Sequence, residues 1–331
     1  MYLKKKDIEK ALSILAKEME VFAPCEVNGV RRFQVWEGGA PLMDGANTEL
    51  PPKDILFPEK ENMYSFQIGD SFNYQDLGEA PKRAIFAIRP CDMQSIVRMD
   101  SVFIEDGEKD SFYTSRRDNC LTIALSCPES GENCFCESMG LDPNTAPEAD
   151  VFLADAGDSY LVTANNEKGQ IVLKLWKDLL SSGKAKAKAD THNTLKPNVT
   201  DDLPKKLVNL FEEKIWDEST RPCLKCGTCT YVCPTCYCFD INNEKAGSEG
   251  VTFRCWDSCM YTDYALIAGG VNERPTKKER LRNRYMHKLS YFNDQHGKSL
   301  CVGCGRCISL CPSHLDIAEF INKAAEVQYG G

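Results

Sequence analysis

Eight cysteines fall into two runs of the same spacing. Cys223, Cys226, Cys229 and Cys233 read C-x2-C-x2-C-x3-C, followed by Pro234, and Cys301, Cys304, Cys307 and Cys311 repeat the pattern, followed by Pro312. Three thiolates three residues apart wrap one side of a [4Fe–4S] cube if the loop turns tightly, and the fourth, beside its proline, reaches a second cube. Gly227, Gly303 and Gly305 allow such turns, because glycine adopts positive φ without a Cβ clash. The spacing therefore predicts crossed ligation. One cluster takes Cys223, Cys226, Cys229 and Cys311; the other takes Cys301, Cys304, Cys307 and Cys233. A zinc ribbon of paired C-x2-C knuckles has no use for the third and fourth cysteines of each run. A disulfide framework suits exported chains, and the charged start Met1-Tyr-Leu-Lys-Lys-Lys-Asp7 has no apolar stretch behind it to act as a signal. Lys225 and Arg306 lie inside the runs, where a cation favours the reduced, more negative cluster.

A second set of thiols follows two apolar strands. Ala84-Ile-Phe-Ala-Ile-Arg-Pro-Cys-Asp92 delivers Cys91 and Asp92 at a carboxyl end, with a helix expected over 93–99. Cys120-Leu-Thr-Ile-Ala-Leu-Ser-Cys127 ends the same way, with Cys134 and Cys136 just beyond. Ligands in open α/β sheets gather at the carboxyl ends of strands. If these two strands are parallel neighbours, Cys91, Cys127, Cys134 and Cys136 come to one edge, enough thiols for a third [4Fe–4S] cluster. Spacing alone equally allows buried free thiols. Asp92 has two readings as well: a substitute for one thiolate, or a cap on the following helix. Cys25 and Cys120 read as core.

The elements that must position these groups are partly legible. Asp7 is placed to cap a helix carrying Ile8, Leu12, Leu15 and Met19, and Asn28-Gly29 breaks the stretch 21–36 into a hairpin. Residues 50–58, with Pro51 and Pro52, read as a stiff extended connector. The stretch 151–174 reads as a strand pair turning at 165–169. Residues 181–190 are a low-complexity surface segment, and a helix is expected over about 204–216. This gives an α+β chain of two domains. Residues 1–200 form an α/β domain with the possible third cluster, and residues 201–331 form a ferredoxin-like dicluster domain with a long helical insertion, 235–300. The insertion holds Cys236, Cys238, Cys255 and Cys259, whose roles the spacing leaves open. It also holds a basic stretch with Lys277, Lys278, Arg280, Arg282, Arg284 and Lys288, either a solvated face or a counter-charge for clusters or an acidic partner.

A net charge of −9 argues against general nucleic-acid binding. The longest apolar runs, such as 265–271, are too short to span a bilayer. Eighteen cysteines with no export signal point to a reducing cytoplasm, and oxygen-sensitive clusters suit an anaerobic host. Gly297-Lys-Ser299 lacks the P-loop's first glycine, since Phe292 stands there, and no dinucleotide fingerprint follows a strand.

Several blocks together resemble a known family: Arg89-Pro-Cys-Asp92, Glu132-Asn-Cys-Phe-Cys136, Cys233-Pro-Thr-Cys-Tyr-Cys238, Trp256-Asp-Ser-Cys259, Arg274-Pro-Thr-Lys-Lys278 and Cys301-Val-Gly-Cys-Gly-Arg-Cys307. They look like the iron–sulfur β subunit of soluble [NiFe] sulfhydrogenases and the A-type iron–sulfur subunit of anaerobic sulfite reductases, over nearly the whole chain. The resemblance implies an electron-transfer subunit, itself non-catalytic, in a cytoplasmic hetero-oligomer. Its partners would be a flavin subunit that binds NAD(P)H and a separate catalytic subunit. The resemblance also implies a third cluster on Cys91, Cys127, Cys134 and Cys136, and places Cys236, Cys238 and Cys259, but not Cys255, in the family pattern. Residues 132–140 look more like the sulfite reductase side, and Pro51-Pro-Lys53 and 274–288 more like the hydrogenase side. A rival reading, an N-terminal cluster acting on a small substrate, requires an open coordination position such as Asp92 would leave.

Overall fold

The continuous apolar runs form the buried centre of one sheet. The computed structural model describes residues 1–69, 72–76, 80–183, 186–188 and 190–327. In chain order its strands are β1 (Tyr2–Lys4), β2 (Glu20–Val27), β3 (Val30–Val35), β4 (Lys60–Ile68), β5 (Phe72–Asp76), β6 (Arg83–Ile88), β7 (Cys120–Leu125), β8 (Val151–Asp155), β9 (Ser159–Ala164), β10 (Leu180–Ser181), β11 (Phe239–Ala246) and β12 (Glu249–Trp256). An eight-stranded mixed sheet has the order β10-β1-β9-β8-β7-β6-β2-β3. Its centre, β2, β6, β7 and β8, is parallel. All six residues of β7 are buried, as expected of strands covered on both faces.

One face is covered by helix α1 (Ile8–Leu15), through Ile8, Ala11, Leu12 and Leu15, together with Trp176. The other packs on Phe57, Met93, Ile96, Phe103 and Tyr113. A third core, built on Leu207, Trp216, Leu281, Tyr285 and Phe320, underlies the cysteine runs. The expected hairpin forms between β2 and β3, with Asn28 at φ 53 and Gly29 at φ 78, the left-handed pair that matches strand twist.

Several local expectations are revised. Asp7 stands at the N-cap of α1 but spends its carboxylate on Lys10 at 2.8 Å. The connector 50–58 contains a short helix, Lys53–Leu56, that buries Ile55 and Leu56. In 151–174 the strands turn at 156–158, and 165–169 instead begins a helix, α3 (Glu167–Leu175), counting α2 as Pro90–Asp100. Asn166 caps α3 by accepting from the Gly169 N–H at 3.0 Å, which outweighs the turn signal of the same residues. The helix expected over 204–216 splits into Leu203–Asn209 and Ile215–Thr220, and the Trp216 indole donates to the Leu210 carbonyl at the break. The low-complexity segment 181–190 lies partly outside the described residues.

The insertion is not wholly helical. It opens with the β11–β12 hairpin before helix α4 (Lys277–Met286), which runs on through a π turn, His287–Tyr291. β12 also pairs with β4, so a second, antiparallel sheet, β11-β12-β4-β5, draws strands from both sides of residue 200. Arg254 on β12 clamps this junction, donating to Glu61 at 2.6 Å with both side chains no more than 2% exposed. Among the described residues no helix is long and apolar enough to cross a membrane.

Candidate metal centres

β6 and β7 are parallel neighbours, with Ala84 opposite Leu121 and Ile88 opposite Ala124, so their carboxyl ends finish side by side. A register shift sits just before the end of β6, where Ala87 takes φ 59. A non-glycine residue in that region is strained, and such strain concentrates at functional sites. Beyond it, Pro90 opens α2 at its first position and sets Cys91 in the first turn. Cys91, Cys127, Cys134 and Cys136 then line one small cavity, with Asn47 and Arg89 on its wall. Asn193 accepts from the Cys136 thiol at 3.3 Å, and its own N–H is held by Glu137.

The two ferredoxin-like runs come together. Cys223, Cys226, Cys229 and Cys311 line a second cavity. The sulfurs of Cys301, Cys304 and Cys307 each lie close enough to Cys233 to feel its charge. Two cysteines sit between sets: Cys304 also lines the N-terminal cavity and Cys307 the cavity of the first run. Gly303 (φ +62) and Gly305 (φ +75) permit this closeness. A Cβ on Gly303 would lie 2.6 Å from the backbone of Phe135 and Cys136, and one on Gly305 would lie 2.4 Å from Asn133 O. Phe135 N–H donates to Gly303 O at 2.8 Å across the contact. The glycines thus let one loop lie against another, in addition to turning their own. Among the described residues no three His, Cys, Asp or Glu side chains converge tightly enough for a single metal ion; the thiols ring spaces instead.

Buried cations surround these spaces. Arg89 donates to the carbonyls of Met43, Asp44, Gly45 and Ala46. Arg284 donates to Cys229 O at 2.9 Å, and Lys288 to Thr235 Oγ1 and O at 2.7 and 3.0 Å. Lys53 donates to Cys236 O at 3.0 Å and lies 3.7 Å from the centre of the Trp256 ring. All four are at most 5% exposed, and these bonds go to carbonyl and hydroxyl oxygens, not carboxylates. Burial draws the Lys53 ammonium down to about 8. It acts the same way on Lys288, where the neighbouring Cys233 and Cys236 sulfurs outweigh it and raise the ammonium. Buried charge without a counter-charge is costly. Four-thiolate iron–sulfur clusters are anionic, so the donor set and its cationic surround both fit that group.

Residues 222–315 match the 4Fe-4S dicluster domain family. Over 320 residues, 92% of each chain, the sequence is 30% identical to sulfhydrogenase 2 subunit beta of Pyrococcus furiosus. The chain belongs to the sulfhydrogenase β-subunit family. No solved structure matches it.

In this family member Asp92 is neither a helix cap nor free to ligate. Its carboxylate takes both terminal nitrogens of Arg306, at 2.6 and 2.7 Å, wholly buried. Arg306 therefore neutralises Asp92, while Lys225 is exposed and offers its backbone N–H to Cys223 Sγ at 3.4 Å. Leu315 N–H does the same for Cys311 at 3.2 Å. Arg280, Arg284 and Lys288 of the basic stretch turn inward, whereas Lys278 and Arg282 pair with Asp217 and Glu212 at the surface. Sequence reading gives Lys53 no role beyond its place in the Pro51-Pro-Lys53 block, because a lysine among prolines carries no periodic signal. It also named no role for Arg98, which donates to Ser299 O at 2.7 Å just ahead of the second run. Cys120 is core, its thiol pushed up to about 12 by burial, while Cys25 is half-buried on β2.

Proposed function

We propose that this chain is the iron–sulfur electron-transfer subunit of a cytoplasmic multi-subunit oxidoreductase. It relays single electrons between a flavin subunit that binds NAD(P)H and a catalytic subunit of the [NiFe]-hydrogenase or sulfur-reductase type. The observation that carries this reading is the pair of shared walls. Cys304 borders the N-terminal thiol set and Cys307 borders the first-run set, so three thiol sets stand in one row. Cys226, exposed, stands at one end of that row. The P. furiosus relative, named as a subunit of a sulfhydrogenase, supports membership of a hetero-oligomer.

The ligand sets we assign are Cys223, Cys226, Cys229 and Cys311; Cys301, Cys304, Cys307 and Cys233; and Cys91, Cys127, Cys134 and Cys136. A [4Fe–4S] cluster held by each supplies reversible one-electron exchange. The chain's own residues bind it through thiolates, offset its charge with Arg89, Arg284, Lys288 and Lys53, and tune it with donors to sulfur. Thr228 and Thr235 add hydroxyls 3.3 and 3.4 Å from Cys226 and Cys233. We keep the division at about residue 200 as a proposal for which part holds which clusters.

The test is iron and acid-labile sulfide per chain on anaerobically purified protein, with EPR of the reduced state. About twelve irons, falling to about eight in Cys91→Ser, is the expected result. About eight in the unaltered chain would return the N-terminal cysteines to structural thiols, and zinc without sulfide would overturn the reading altogether.

A further inference from the structure

The residue that joins β6 to α2 has one guanidinium nitrogen to spare. Arg89 donates from Nε to the carbonyl of Ala46 at 3.3 Å, and from Nη2 to those of Met43, Asp44 and Gly45 at 3.3, 3.1 and 3.1 Å. A guanidinium is planar and presents its N–H groups in a fixed fork. With the Nε and Nη2 edge turned to the loop 43–46, Nη1 is turned away from it. Nη1 is buried and meets no hydrogen-bond acceptor among the described residues. The side chain also borders the cavity lined by Cys91, Cys127, Cys134 and Cys136. A buried N–H of a charged group is costly to leave without an acceptor, and this cavity is where an anionic one belongs. The loop is itself fixed against the thiols. Asn47 Nδ2 donates to Cys304 O at 2.8 Å and approaches Cys91 Sγ to 3.9 Å, and Arg306 Nε donates to Thr48 O at 2.6 Å. Loop 43–48 is thereby held from the end of β6 and from the second cysteine run together, which fixes the direction of the Arg89 fork.

We propose that Arg89 is the positioning and tuning residue of the N-terminal cluster, donating from Nη1 to a cluster sulfur while Nε and Nη2 hold the loop. The inference rests on the third cluster of the proposed function and adds to it the residue that sets that cluster's reduction potential. Positive charge and hydrogen bonds to sulfur both favour the reduced, more negative form. Arg306, also buried at this wall, is already spent on the Asp92 carboxylate, whereas every acceptor that Arg89 has in the protein is an uncharged carbonyl. Lysine, a single flexible ammonium, cannot hold the loop and reach the sulfur at once as a rigid fork does. Arg89 thus makes the N-terminal cluster easier to reduce than its thiolates alone would. Electrons are biased toward the N-terminal side of the wall that Cys304 shares.

The experiment uses the iron-loaded full chain under anaerobic conditions and follows the reduced-state EPR signal that Cys91→Ser removes. Arg89→Met is expected to keep about twelve irons. It should make reduction of that signal's cluster tenfold less favourable, a shift of about 59 mV to more negative potential. Arg89→Lys, which restores the charge without the fork, should recover only part of the shift. In a chain grown on isotopically labelled arginine, pulsed EPR should show nitrogen coupling to the same signal. The coupling should vanish in both Arg89 variants and persist in Arg83→Lys, at the amino end of β6. The proposal is overturned if iron-replete Arg89→Met titrates like the unaltered chain, as it would were Nη1 satisfied by water. Full recovery in Arg89→Lys would reduce the effect to charge alone and overturn the hydrogen bond, as would the absence of arginine coupling in the unaltered chain. That last measurement decides the matter even if a variant fails to fold or to load. About eight irons in the unaltered chain would defeat the third cluster and this inference with it; about twelve with an unmoved potential would defeat this inference alone.

Discussion

Arg306 and Asp92 come from opposite ends of the chain and meet as a buried, doubly hydrogen-bonded pair between the N-terminal thiol set and the second cysteine run. Removing one partner strands the other's charge, which costs about 3–5 kcal/mol. Arg306→Met is therefore expected to lower the unfolding free energy from anaerobic denaturant titration by that amount, and adding Asp92→Asn should recover part of it. If the single variant is as stable as the unaltered chain, the pair is not buried as described. Lys288 makes a different prediction, because its partners are Thr235 oxygens rather than a carboxylate. Losing its charge removes stabilisation from the reduced, more negative form of the neighbouring cluster. Lys288→Met should shift that potential to more negative values by on the order of 59 mV, one decade for a one-electron couple. An EPR-monitored titration that does not move would remove Lys288 from the tuning shell. The two cations also differ in legibility. Arg306 reads as a cluster cation from its place inside a cysteine run and Lys288 as one of a basic stretch, and only packing sets Asp92 against Arg306.

At the scale of elements, Gly303 and Gly297 form a natural contrast. Both have positive φ, but a Cβ on Gly297 meets nothing within 4 Å, whereas one on Gly303 runs into the Phe135–Cys136 backbone. Gly297→Ala should cost only left-handed strain, about 1 kcal/mol. Gly303→Ala adds an overpacked backbone contact and should cost about 3 kcal/mol, with iron lost first from the N-terminal and second-run sets. Equal losses of stability and iron in the two variants would sink the close-approach argument. Helix α4 and its π turn show why the basic stretch had two readings. Spacing by four puts Arg280, Arg284 and Lys288 on one face, and only packing on the cysteine runs turned that face inward. The insertion's hairpin was missed for a related reason. Its exposed strand β11 reads as polar sequence, and its partner β12 finds β4 nearly two hundred residues earlier.

For the whole molecule, the shared sheet ties the halves on either side of residue 200. β4 and β5 carry Glu61 into a site where Arg254 is its buried partner. A fragment of residues 1–200 would lose that arginine and Arg306 together, leaving Glu61 and Asp92 without these ion-pair partners and β4 without its neighbour β12. We expect the fragment to unfold without a cooperative transition and to bind no iron. A fragment with a sharp transition and about four irons would show that the division at residue 200 is a true folding boundary.

The sequence by itself determined the chemistry. Two cysteine runs of fixed spacing with their prolines specify iron–sulfur ligation, since ligand spacing within a loop is a local property that no distant contact alters. It also indicated that β6 and β7 carry cysteines off their carboxyl ends, because short continuous apolar runs rich in β-branched residues read as strands buried on both faces. Only the tertiary structure decided that those strands are parallel neighbours, that Cys304 and Cys307 border adjoining thiol sets, and that Asp92 belongs to Arg306. Each of these joins residues far apart in sequence, and such pairings are fixed by packing and by the need to compensate buried charge, not by spacing along the chain.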